Sequence, residues 1–122
     1  MFTNEYIEKV SKAEEIQKLW KPKKGDWVFD YQYMIPMLWS LDNKMEGINI
    51  NKPIIVIGWL PTLEDLFGML GRNLSDTLYC IGHDKTNIDE IHETTLKWVM
   101  YFVYNKEWNI NNKLWEAING NN

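Results

Sequence analysis

Apolar positions recur along this chain at two different periods, and the switches between them mark the predicted elements. Ile7, Val10, Ala13, Ile16 and Trp20 follow one another at intervals of three and four, which predicts one amphipathic helix over 4–20 with Thr3 or Asn4 as its cap. Pro22 closes it, because the residue before a proline is driven out of the helical region. After a Gly25-Asp26 turn, Trp27-Val-Phe-Asp-Tyr-Gln-Tyr-Met34 is β-rich and partly alternating, which predicts a short strand or two. Pro36 and Gly47 punctuate 35–52, read as a loop or a poorly regular strand. Ile54-Ile-Val-Ile57 has four β-branched residues and no polar face, the signature of a central strand.

In the second half, Leu63, Leu66, Phe67 and Leu70 form a helical stripe. Thr62 with Asp65 three residues on resembles a capping box, and Gly71 is placed to end the helix. Thr77-Leu-Tyr-Cys-Ile81 predicts a short strand stopped by Gly82. Asn87 to about Tyr104 predicts a long helix with Ile88, Ile91, Leu96, Val99, Phe102 and Val103 inward. The tail from Asn105 predicts turns and one short element, with the last residues frayed. The expectation is a single α+β domain over 1–122, an antiparallel sheet with helices packed on one face.

Composition narrows the function classes. The chain has 122 residues, 45% hydrophobic and 25% charged, which suits a globular domain and not a disordered one. Its longest apolar stretch, Pro53 to Pro61, is too short for a membrane-spanning helix, and the amino-terminal residues have no secretory signal pattern. One cysteine, Cys80, offers no disulfide framework or zinc spacing. A cytoplasmic location follows as an expectation, with no membrane partner.

Net charge is −4, and the whole surplus lies in 61–90, where Arg72 and Lys85 face six acids. Glu64 and Asp65 follow Thr62, and Asp89 and Glu90 follow Asn87, so these acids sit where helices begin and the helix dipole favours them. The balance argues against DNA or RNA as partner. Lys21-Pro-Lys-Lys24 reads as a solvated turn.

Catalytic patterns are missing: the sequence contains no P-loop, no G-x-G-x-x-G, no G-x-S-x-G and no H-E-x-x-H. His83, Asp84 and His92 have no metal-ligand spacing, and Cys80 reads as a buried, inert thiol. No enzyme, cofactor or metal is expected. What stands out is aromatic and amide richness: 7 Trp and 13 Asn against a single Arg. Trp20, Trp27, Trp59, Trp108 and Trp115 fall at element ends or in turns, where indoles line pockets as readily as cores. Rings stack on purines, Asn reads base edges and ribose hydroxyls, and Arg72 could clamp a phosphate. A nucleotide-like ligand is the small molecule these groups suit.

Three ordered segments carry a resemblance. Glu15-Ile-Gln-x-x-Trp20-x-Pro22-x-x-Gly25-Asp26-Trp27, then Trp59-Leu-Pro-Thr-Leu-Glu-Asp-Leu66, then Tyr104-Asn-Lys-Glu-Trp-Asn109 together resemble the Thoeris anti-defence 1 family of phage and prophage proteins. The resemblance implies a sponge. Such proteins bind the cyclic ADP-ribose isomer made by a bacterial Toll/interleukin-1-receptor-domain enzyme and hold it uncleaved, so that the downstream effector does not fire. It also implies a homodimer or higher oligomer in the bacterial host cytoplasm. Carried over by position, Trp20 and Trp27 would line the adenine side, and Asn105, Trp108 and Asn109 the ribose or phosphate. Thr62 stands where the family often has a basic residue, which Arg72 or Lys113 would have to replace. The rival expectation is a small phage inhibitor that covers a host defence protein.

Overall fold

A computed structural model describes residues 2–39, 57–83 and 87–118. The first helical stripe is real but broken. Helix α1 (Asn4–Ser11) starts on Thr3, whose hydroxyl accepts the Tyr6 N–H, and α2 (Glu14–Gln17) follows after Lys12 and Ala13 leave helical geometry. The elbow keeps Ala13 and Ile16 fully buried beside Ile7 and Val10, which one straight helix would aim along a single line.

Strand β1 (Trp27–Asp30) is central in an antiparallel sheet of order β2-β1-β3, with β2 at Pro36–Leu38 and β3 at Ile57–Trp59. Within 35–52, read as a loop or a poorly regular strand, Pro36–Leu38 forms β2, and proline is tolerated there because β2 is an edge of the described sheet. Of the run 54–57 expected as a central strand, Ile57 pairs with Asp30 at the other edge of the described sheet, while 54–56 lie outside the described residues.

Phe29 faces Gly58 across the β1–β3 pair, and a Cβ on Gly58 would lie 2.1 Å from the Phe29 ring. The glycine is therefore the floor on which a fully buried aromatic rests. The backbone of Trp59 is bound by a side chain instead of a strand. Gln17 Oε1 accepts the Trp59 N–H at 2.7 Å, and its Nε2 donates to Trp59 O at 2.9 Å and Val10 O at 3.0 Å. One amide thus ties the α1–α2 elbow to the sheet edge.

Helix α3 (Leu63–Leu70) has the capping box its sequence announces, with Thr62 Oγ1 accepting the Asp65 N–H and Asp65 accepting the Thr62 N–H. The expected strand at 77–81 is instead the middle of helix α4 (Leu74–His83), which continues from α3 through a tight turn at Gly71–Asn73. Leu74, Thr77, Leu78 and Ile81 do repeat at helical spacing, and that period outweighs the β preference of Thr, Tyr and Ile. Cys80 is accordingly half-buried on a helix, not sealed in a strand. A short turn at Ile88–Glu90, capped by Asn87, leads into α5 (Ile91–Tyr104), which ends on Asn105 in the left-handed conformation. The tail then forms a hairpin, β4 (Lys106–Asn109) with β5 (Leu114–Ala117), where turns and one element were expected. Asn109 supplies the missing turn signal: its side chain accepts the N–H groups of Asn111 and Asn112.

The class is α+β, with small antiparallel sheets and helices sharing one core. That core joins Tyr6, Ile7, Val10 and Ile16 to Phe29, Leu60, Leu66, Leu96, Val99, Met100 and Trp115. The Tyr6 hydroxyl, buried within it, donates to Pro61 O at 2.6 Å. Burial, with the Asp65 charge adding, pushes this phenol well above its ordinary range. No helix among the described residues is long and apolar enough to cross a membrane.

Candidate functional site: an indole among lysines

The hairpin is fastened to the carboxyl end of α1. Trp115 Nε1 donates to Lys9 O at 2.8 Å, and Lys12 Nζ donates to Lys113 O at 2.9 Å. Trp108 lies across the hairpin from Trp115, the two rings edge to face at 5.2 Å. Trp115 is nearly buried and anchors the pair. Trp108 is half-buried, and the ammonium groups of Lys9 and Lys12 each lie 5.8 Å from its ring centre, within cation–π range.

Two depressions meet at this indole. One, of about 310 Å3, is lined by Lys9, Trp108, Ile110 and Lys113, with Glu5 and Glu8 at its side. The other, of about 230 Å3, lies between Lys9, Trp108 and Trp115 and the Glu93, Thr94 and Lys97 side chains of α5. Lys9 also lies 4.0 Å from Glu93, which accepts the Thr3 hydroxyl. A ring, several movable cations and nearby carboxylates can stack a flat group and exchange internal ion pairs for an anionic ligand.

The structure brings together some of the residues selected from sequence. Trp108 and Lys113 line one depression, and Asn109 adjoins them, though its side chain is committed to the turn and to Glu116. Asn105 ends α5 and its carbonyl accepts the Ile118 N–H. The others serve different local roles. Trp20 Nε1 donates to Asp26 Oδ2 at 2.9 Å, while its ring meets Trp39 at 5.5 Å. Trp27 packs on the core with its ring against Phe2. Thr62 is occupied by its capping box, and Arg72 is exposed in the turn between α3 and α4. The basic run Lys21–Lys24 is solvent-exposed, as expected of a turn.

Lys9, Lys12 and Lys97 were not legible as site residues. Their signal was weak: Lys9 in the last turn of α1 and Lys12 at its C-cap are three apart and meet a tryptophan distant in sequence. No three His, Cys, Asp or Glu side chains cluster as a metal site among the described residues. No family model, no curated protein and no solved structure matches the chain.

Proposed function

We propose that this protein is a sponge: it binds a cyclic ADP-ribose isomer made by a Toll/interleukin-1-receptor-domain enzyme, holds it without cleavage in the bacterial cytoplasm, and so keeps the effector from being activated. The observation that supports this most is Trp108 with Lys9 and Lys12 at its ring and Lys113 lining the same depression. An adenine can stack on the indole while the lysines meet the diphosphate, supplying affinity without a tuned acid or base. The ordered tryptophan segments that resemble the Thoeris anti-defence 1 family supply the identity of the ligand. The reading moves the ring-binding role from Trp20 and Trp27 to Trp108. It includes assembly as a homodimer or higher oligomer.

A second reading, direct inhibition of a host defence protein, draws on α4. This helix buries only Thr77, while Leu78 and Tyr79 are 48% and 72% exposed. Apolar side chains uncovered on one helix are what a protein partner would cover.

Tryptophan-fluorescence titration with cyclic ADP-ribose isomers, followed by heat denaturation and chromatography of the supernatant, separates the readings. Saturable quenching with intact ligand recovered is the expected result. A cleaved ligand would make the protein an enzyme, and no binding by any isomer would favour the protein inhibitor.

A further inference from the structure

The two depressions beside Trp108 are rich in lysine, yet each is balanced in charge. One sets Lys9 and Lys113 against Glu5 and Glu8. The other sets Lys9 and Lys97 against Glu90 and Glu93. An anion arriving here meets lysines that already have carboxylates beside them, and distance and burial decide which carboxylate matters.

Glu93 stands out by both measures. Its Oε2 lies 4.0 Å from Lys9 Nζ, and its side chain is 15% exposed, so water screens the pair little. Among the described residues Glu5, Glu8 and Glu90 make no ion pair with a lysine, and Glu5 and Glu90 are exposed. The same Lys9 ammonium stands 5.8 Å from the Trp108 ring centre, so the indole and the carboxylate share one cation. The other oxygen of Glu93 accepts the Thr3 hydroxyl, and Thr3 caps α1 by accepting the Tyr6 N–H. Lys97 is engaged elsewhere, its ammonium 5.1 Å from the Trp98 ring centre. The positive amino-terminal charge acts at His92, next to Glu93 in sequence, and is the same in any variant of Glu93.

We infer that Glu93 is a built-in competitor at the Trp108 surface: it holds Lys9, and an anionic ligand gains that lysine only by displacing the carboxylate. This role rests on the binding proposed for the Trp108 surface and adds what sets its affinity. Glu93 repels a ligand in proportion to the ligand's charge and leaves an uncharged nucleoside unaffected. Its effect is to keep the lysines from being filled indiscriminately by phosphorylated compounds.

Fluorescence titration of the full chain with adenosine, AMP, ADP and a cyclic ADP-ribose isomer tests this with one base and rising charge. Glu93→Gln removes the charge and keeps an oxygen for the Thr3 hydroxyl, so the fold should hold. Adenosine affinity should stay unchanged and ADP affinity should rise about fivefold, with AMP between them and the isomer gaining as ADP does. Added salt should shrink the gain. Glu90→Gln, in the same depression but exposed and outside the Lys9 pair, should gain less than about twofold. Glu93→Gln combined with Lys9→Gln should lose the gain, since the two side chains act as a pair. An ADP affinity unchanged or lowered by Glu93→Gln, an equal gain for adenosine, an equal gain in Glu90→Gln, or no anion binding in either protein would each overturn it. Failure of the proposed function looks different: the isomer does not bind, while ADP affinity still rises in Glu93→Gln.

Discussion

The two tryptophan-bearing regions of this protein use the same side chain in opposite ways. Around the three-stranded sheet, aromatic and amide groups are consumed by the fold. Trp20 hydrogen-bonds Asp26, Trp27 packs on Phe2, Phe29 lies on Gly58, and Gln17 satisfies the backbone of Trp59. In the hairpin one indole, Trp115, is spent on docking to α1, while its partner Trp108 faces two depressions with lysines at its ring. A tryptophan at the end of an element thus has no fixed meaning. What its N–H binds, and what its free face meets, decide whether it builds the fold or is left for a ligand.

The sharpest way to break this contrast is at the sheet. Gly58→Ala puts a methyl into the Phe29 ring, so urea unfolding should show a loss of about 3 kcal/mol. A loss below about 0.5 kcal/mol would mean that the sheet is not tightly packed there. Next in size, Trp20→Phe keeps a ring beside Trp39 but deletes the hydrogen bond to Asp26, which predicts a loss of about 1 kcal/mol in the same assay. Ligand affinity should not move in that variant, and a drop at unchanged stability would return Trp20 to the binding site.

Gly68→Ala supplies the control of opposite sign. The position is exposed inside α3 with nothing within 4 Å of the added carbon, so a gain of about 0.7 kcal/mol is expected by thermal melting. The smallest effect lies between the two regions, where Lys106 of the hairpin pairs with Glu15 of the elbow. Burial raises the Glu15 carboxyl, but the Lys106 hydrogen bond, a backbone hydrogen bond and the Lys106 and Lys18 charges outweigh it and hold the group below its ordinary value. A carboxyl lowered on folding contributes fully above its unfolded value and loses that share as pH falls through the folded one. Glu15→Gln should therefore cost about 0.5 kcal/mol at neutral pH, and the difference from the parent chain should vanish in acid below the folded value.

Much of the fold was legible because helix ends carry local chemistry. Thr3, Thr62 with Asp65, and Asn87 cap the turns their spacing announced. The α4 region was misread because Thr77-Leu-Tyr-Cys-Ile81 combines β-favouring residues with a helical period, and continuity with α3 settled the conflict. The α1–α2 elbow had no local marker, since Ala13 continues the apolar spacing whether or not the helix bends there. The site was half legible. Trp108, Asn109 and Lys113 lie close in sequence, whereas Lys9 and Lys12 reach Trp108 only through the docking of the last strands onto the first helix.

The central claim is that the Trp108 face is the binding surface, and a paired titration addresses it directly. A cyclic ADP-ribose isomer is titrated into the parent chain and into Trp108→Ala, and the ligand is recovered by denaturation and chromatographed. Stacking on one indole predicts an affinity lower by about 10- to 100-fold in the variant, with intact ligand returned from the parent chain. Equal affinity in the two proteins, or a cleaved ligand, would contradict the account.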